Sequence, residues 1–343
     1  QKYSKIYVFC PNDAVTGGPD ALHQLVFYLN EIGCEAQIVY YAYTPKHHFA
    51  VPNSYKNYVS SFILEKDVVD EAKSAVVLPE NAVEKIRRFN NAKVYVWWLS
   101  VDNNLCRSSF LWKFFYFVSL PIRLIVNINY YKKHFREAIL KTINKQSYSF
   151  KDEKKNVQHI CASYYAYNYV SKRSHSRVDL CIEPISKFFL VQYDQFKERI
   201  SLAGRKNVIL YNPVKCGSFI KKMSKHFPDL NFLPLQSMNQ EQLVNAYMSS
   251  KLYVDFGSFP GAERMPKEAA LFGCSIITGR LGASAFYEDV PIPDEYKFFD
   301  HGSHMYDISQ KIRQMLQTYE LNKKDFDVYR KTIVDLEKNF LLV

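Results

Sequence analysis

The chain has 343 residues, 48% of them hydrophobic and 23% charged, which excludes a disordered polymer and leaves room for two domains of roughly 100–200 residues each. Its seven cysteines, at 10, 34, 106, 161, 181, 216 and 274, are odd in number and form no C-x-x-C pair; this argues against a disulfide framework or zinc ribbon and for a reducing compartment. The formal charge is +11, yet eleven basic residues against three acids lie between Arg107 and Lys155, so the excess is a local basic device and not the charged face of a nucleic-acid-tracking protein.

The elements alternate along the chain. Residues 5–10 read as a β-rich run ending at Pro11, with no long apolar stretch that would suggest a secretory leader. Thr16, Gly17, Gly18, Pro19 and Asp20 form a turn opening a helix, on which Leu22, Leu25, Val26 and Leu29 recur at helical spacing until Gly33. Residues 37–41, 74–78 and 93–99 read as further strands, with a helical pattern over 80–89. The second half restarts the pattern, with strands at 207–211, 231–235, 251–256 and 274–278 and helices at 219–227, 239–249 and 266–272, the last closed by Gly273. Strands alternating with helices specify a parallel α/β sheet. Residues 185–206 show no clear period and are expected to hold the domain linker. The tail from Tyr306 reads as helical, with Ile308, Ile312, Met315 and Leu316 on one face.

Four ordered elements carry a resemblance. They are Thr16-Gly17-Gly18-Pro19, then Trp97-Trp98-Leu99-Ser100-Val101-Asp102-Asn103, then Tyr211-Asn212-Pro213, and the loop from Pro260-Gly261 to Arg264-Met265-Pro266. The chain resembles the GT-B glycosyltransferases, more narrowly those of bacterial capsule and O-antigen polysaccharides. The resemblance implies two Rossmann-like doubly wound α/β domains facing a cleft, followed by a helical C-terminal tail. The expected limits are 1–190 for an acceptor domain with a basic aromatic insertion near 107–155, 191–320 for a donor domain, and 321–343 for the tail. The wider retaining family often carries two glutamates seven residues apart in the donor loop. Only four residues separate Glu263 from Glu268, so Glu268 alone, in the Glu-Ala pair, is carried over, and that spacing gives no support to a retaining mechanism.

A nucleotide-diphosphate sugar needs cations and free N–H groups for its diphosphate, which a helix N-terminus supplies. Gly17, Gly18, Gly261, Arg264, Lys267 and Lys215 are the expected donor contacts, with Gly257 allowing close backbone approach and Glu268 accepting from the ribose. The same Arg264, Lys267 and Glu268 also suit a solvated helix start. Lys215 also suits a surface turn. Transfer with inversion needs a base for the acceptor hydroxyl. Asp102, at a strand end beside aromatic walls, comes first and Asp20 second, although Asp20 also complements a helix dipole and Asp102 also suits an ordinary turn. His23 and Trp98 are the expected acceptor contacts, His23 being equally at home half-buried among leucines.

No metal and no cofactor are expected. Asp325-Phe326-Asp327 lies in a lysine-rich helical tail instead of at a strand end, and the His301/His304 and His47/His48 pairs have no nearby cysteine. The expected partners are the sugar donor, a glycan or lipid-linked glycan acceptor and an anionic membrane surface, not nucleic acid. Residues 110–135 are apolar and aromatic but interrupted by Lys113, Pro121 and Arg123, too short to span a bilayer and suited to docking on the cytoplasmic face of the cell membrane. Two other readings are a non-hydrolysing nucleotide-sugar epimerase, which needs no acceptor, and a non-catalytic basic protein that binds lipid or nucleic acid.

Overall fold

The computed structural model describes residues 3–12, 15–41, 49–108, 148–202, 204–299 and 301–340. Most of the expected membrane-docking segment and the His47/His48 pair lie outside them. The chain divides into two compact units, one of Gln1–Ala162 with Ala166–Cys181, the other of Ser163–Tyr165 with Ile182–Val343.

The first unit is built on β1 (Lys5–Pro11), β2 (Ala36–Tyr41), β3 (Ile63–Leu64), β4 (Ser74–Pro79), β5 (Lys93–Trp98), β6 (Val157–Cys161) and β7 (Val178–Leu180). They form one sheet in the order β3-β2-β1-β4-β5-β6-β7. Every pairing is parallel; Val8 faces Ile38 on one side and Val77 on the other, and Trp97 faces Ile160. A parallel sheet covered on both faces needs apolar residues on both, which is why all six residues of β4 are buried. Helix α1 (Gly17–Glu31) follows β1 and α2 (Val101–Ser108) follows β5. The segment 80–89, expected as an α-helix, is 3-10 helix over Glu80–Arg88 with a kink at Ala82.

The sequence pattern did not reveal β6 and β7. Strand β6 carries the polar His159 at 0% exposure, so no apolar run marks it. His159 is tolerated because Nε2 meets Glu153 at 2.5 Å and Nδ1 accepts from Trp98 Nε1 at 3.0 Å. A buried polar group without such partners would cost several kcal/mol, on the order of 2–7.

The second unit carries β8 (Lys206–Tyr211), β9 (Phe232–Pro234), β10 (Ser250–Asp255), β11 (Ser275–Gly279) and β12 (Lys297–Phe298), parallel and in the order β12-β11-β10-β8-β9. Helix α3 (Tyr164–Ser171) lies mostly in the first unit, from Ala166 on, and only Tyr164 and Tyr165 count with the second, whose helices are α4 (Lys187–Leu202), α5 (Pro213–His226), α6 (Gln240–Ser249), α7 (Arg264–Leu271), α8 (Met305–Gln317), α9 (Tyr319–Asn322) and α10 (Asp327–Phe340).

The stretch expected to hold the linker is the sixteen-residue helix α4, and the two units divide just before it, at Cys181. Phe189, Tyr193, Phe196 and Ile200 do stand at helical spacing, but exposed Val191 and neighbouring Phe188 blur the stripe. The residues expected as a helical tail are helical, and they pack into the core of this unit, where Phe326, Tyr329 and Ile333 are buried.

One residue ties three helix ends of this unit together. The Arg205 guanidinium donates to the carbonyls of Tyr247 and Ser250 at 2.7 and 2.9 Å, of Phe272 at 2.6 Å and of Ile200 at 3.3 Å. Helix C-termini leave unpaired carbonyls, and a planar five-donor group can serve several at once.

Candidate functional site

In each unit the strand order reverses direction beside the first strand, between β1 and β4 and between β8 and β10. Loops leaving the carboxyl ends of such neighbours diverge, and the space between them is where doubly wound sheets take ligands.

At the β8/β10 point the residues converge. Asn212 caps α5, its side chain accepting from Val214 N at 3.0 Å, and Pro213 begins the helix. Lys215, in the first turn, reaches back over the β10 loop to donate to Ser258 O at 3.1 Å and to pair with Glu263 at 2.5 Å. Glu263 is the N-cap residue of α7, so the pair joins two helix N-termini. Asp255, at the end of β10, is 1% exposed; its carboxylate accepts from Gly257 N at 2.9 Å and Tyr253 OH at 3.0 Å. Burial nevertheless pushes the Asp255 carboxyl above its ordinary range. Gly257 is required here, because a Cβ would lie 2.6 Å from the Lys215 Cβ. The loop is pinned from the far side, Phe259 N donating to Leu281 O at 2.9 Å and Ala283 N to Phe259 O at 2.7 Å. Gly282 has φ +71, and a Cβ there would sit 2.1 Å from Phe259 O.

Gly261 lies in this loop and Arg264 at the helix start, Gly261 buried and Arg264 half-buried. Lys267 does not present its charge to the loop. It is 3% exposed, and its Nζ contacts Glu183 O at 3.4 Å. Burial lowers the Lys267 ammonium and raises the Glu183 carboxyl, each partly opposed by the other's charge. The Glu183 Oε2 atom accepts no hydrogen bond among the described residues. Asp289 joins this buried group; it accepts from Tyr164 N and Tyr165 N at 2.6 and 2.9 Å, and burial holds its carboxyl up to about 6. Where a diphosphate contact was expected, the helix turns the Lys267 side chain inward. Glu268 is also buried, at 5%, and accepts from Tyr247 OH at 3.2 Å.

The corresponding edge of the first unit gathers Gly17, Gly18 and Asp20 at the start of α1 with Asp102 in the first turn of α2. A Cβ on Gly18 would lie 3.7 Å from Leu99 Cδ1, ordinary contact, so Gly18 leaves the α1 start close to the end of β5. Asp20 is 9% exposed and accepts from Gln24 Nε2 at 2.9 Å, while Asp102 is half-buried. Glu80, not anticipated from the sequence, organises the turn: it accepts from Leu99 N at 3.0 Å and Asn103 Nδ2 at 2.7 Å and is 2% exposed. A glutamate directly after a strand-ending proline was the available signal.

The two expected acceptor contacts are core residues. His23 is fully buried, its Nδ1 on Pro19 O at 2.6 Å and its Nε2 on Tyr40 OH at 2.7 Å, and it stacks on Tyr55. Trp98 is equally buried, bonded to His159 and stacked on Phe150, and the Trp97 indole donates to Cys181 O at 3.2 Å. Neither tryptophan forms a wall for a sugar; an indole satisfies its N–H inside a sheet as well as at a surface.

No family model and no curated protein matches the sequence. Solved structures match the fold along almost its whole length. A glycosyltransferase from Rickettsia africae superposes with TM-score 0.56 at 12% identity, over 100% of this chain and 98% of its own. WaaG, a glycosyltransferase involved in lipopolysaccharide biosynthesis, gives 0.54 at 8% over 98% of each chain. HepE from Anabaena, solved in complex with UDP-glucose, gives 0.53 at 10% over 98% of each. The fold is GT-B.

Within this GT-B chain the remaining polar motifs have structural partners. Asp325 accepts from Tyr296 OH at 2.5 Å and Asp327 pairs with Arg330 at 2.8 Å. His301 packs against Phe219 and Phe256, and His304 meets Asp307 at 3.1 Å. Among the described residues no cluster of three or more His, Cys, Asp or Glu is placed to hold a metal ion, and no helix is long and apolar enough to cross a membrane.

Proposed function

We propose that the chain is a glycosyltransferase moving a sugar from a nucleotide-diphosphate sugar to a growing bacterial surface polysaccharide or lipid-linked glycan. The observation that carries this is the Lys215–Glu263 pair, which joins two helix N-termini at the β8/β10 reversal, with Arg264 as the first residue of α7. In this reading the donor diphosphate lies over the start of α7, against Lys215, Arg264 and the helix N–H groups, and Glu268 takes the ribose. Asp102 accepts the proton of the acceptor hydroxyl, with Asp20 as the second choice. The acceptor oxygen bonds to the anomeric carbon, and the nucleotide diphosphate leaves with the bonding electrons, its charge met by the fixed cations and dipoles. The fold shared with WaaG and with the UDP-glucose complex of HepE supports the donor class and the surface-glycan setting. The basic aromatic segment 107–155 supports a peripheral position on the cytoplasmic face of the cell membrane.

The test is a melting-temperature screen against UDP, GDP, dTDP and CMP, followed by nucleotide release from the sugar donor with and without glycan acceptor. A ligand at 100 times its dissociation constant adds about 2.7 kcal/mol to stability. Release that depends on acceptor, and falls by about 10²–10⁴ in Asp102→Asn with nucleotide affinity retained, is the expected result. The same loss in Asp20→Asn alone moves the base to Asp20. Epimerised donor formed without acceptor overturns the transferase reading, and no response to any nucleotide overturns the site.

A further inference from the structure

The opposite edge of the seven-stranded sheet, where β5, β6 and β7 begin, holds a groove of about 400 Å³ lined by Lys93, Lys151, Lys154, Lys155 and Arg177, with Glu153 as the one carboxylate lining it among the described residues. We infer that this groove is a binding site for a phosphate ester, separate from the carboxyl-edge residues assigned to sugar transfer. Strand β5 runs between the two edges, and its six residues set them roughly 17 Å apart at about 3.3 Å per residue.

The cations are not equivalent. Lys154 is committed to the fold, donating to Ile86 O, Phe89 O and Asn90 Oδ1 at 3.1–3.4 Å, and Arg177 pairs with Asp179 at 2.7 Å. Lys93, Lys151 and Lys155 make no hydrogen bond or ion pair among the described residues. Glu153 does not neutralise them by contact. Its two oxygens accept from Tyr148 OH, Ser174 Oγ, His175 N and Ser176 N and meet His159. That same network fixes the 174–176 turn and the 148–153 segment against β6, so the lysines stand on a braced wall. Exposed lysines normally find acids or spread out to reduce repulsion; three gathered in one concavity leave a field that a multiply charged anion relieves. Ammonium groups are point-charge partners of phosphate oxygens. Phe150 and Val157 give the groove an apolar flank, and its size is that of a small-ligand site. The phosphate can come from a soluble ester or from a lipid headgroup.

Lysine acylation footprinting of the full chain, read by mass spectrometry, separates these sources without requiring activity. Pyrophosphate stands in for the phosphate oxygens of a soluble ester, phosphatidic acid vesicles for the headgroup, and phosphatidylcholine vesicles are the neutral control. Protection of Lys151 and Lys155 by pyrophosphate, or by phosphatidic acid and not phosphatidylcholine, is expected, and the effective probe names the source. The measurement is repeated in Lys215→Gln/Arg264→Gln, which disables the other candidate anion site; protection in the groove persists there even if the sugar-transfer reading is wrong. In that background, Lys151→Gln/Lys155→Gln lowers pyrophosphate affinity on the order of tenfold or more. Unchanged reactivity of both lysines with every probe overturns the inference, as does vesicle binding that protects lysines elsewhere but not these.

Discussion

Gly257 and the Lys215–Glu263 pair make the sharpest single-residue tests. Lys215→Gln removes a charge-assisted contact to the proposed diphosphate and is expected to weaken nucleotide binding by about 1.5–3 kcal/mol. Glu263→Gln releases Lys215 from its pair, in which each side chain is 23% exposed, and is expected to tighten binding by up to about fivefold, the 0.2–1 kcal/mol of such a pair. Opposite signs in isothermal titration support the site, and weakening by both substitutions shows that Glu263 itself contacts the ligand. Two half-buried carboxylates have opposite pH signatures. Burial raises Asp289 to about 6 from its ordinary 3.8, so the native state binds the extra proton and this group's contribution to stability declines as pH rises from about 4 to about 6. Glu153 is held down to about 2 by hydrogen bonds from His159, Tyr148, Ser176 and Ser174, which outweigh its burial; its contribution is full above about 4.5 and is lost as pH falls towards 2. Urea titrations across pH 2–7 should show Asp289→Asn flattening the upper window and Glu153→Gln the lower. The reverse assignment of windows would show that these groups are not placed as described.

At the scale of the element, two caps of similar chemistry separate stability from function. Asn239 and Gln242 form a reciprocal capping box at the start of α6, while Asn212 caps α5 directly before Lys215. Alanine at either position should cost about 0.5–2 kcal/mol of stability in chemical denaturation. Only Asn212→Ala should also weaken nucleotide binding, since it loosens the turn that aims Lys215. Equal loss of binding in both variants would mean that α5 has no special part in the site. Both caps and the prolines and glycines beside them are local signals, and the helices begin where those residues stand. Helix α7 is the instructive exception. Its sequence marks a helix start but not which side chains face the loop. Lys267 turns inward because Glu183, 84 residues earlier, waits there. No periodicity over eight residues can report a partner that distant.

For the whole molecule, the helices after Thr318 belong to the second core. Tyr319 is 5% exposed, with its hydroxyl on Gly273 O at 2.7 Å, and Phe326, Tyr329 and Ile333 are each at 2% or less. Burying four such side chains contributes about 1.5–3 kcal/mol apiece, comparable with the whole net stability of a domain, about 5–15 kcal/mol. Truncation at Thr318 is therefore expected to abolish cooperative unfolding of the second unit, measured by circular dichroism; a sharp, unshifted transition would return these residues to the status of a tail. Alternation of apolar strands with capped helices determined, by itself, two parallel α/β units and the loops at their strand ends, because those choices rest on spacing and turn chemistry within a few residues. Only the tertiary structure decided that His23, Trp98, Lys267 and His159 lie inside, that Glu80 organises the turn after β5 and Glu183 meets Lys267, and that α4 is a helix of the second unit. A polar or aromatic side chain is equally suited to surface or core until a remote segment supplies its hydrogen-bond partner, and strand order determines which segment that is.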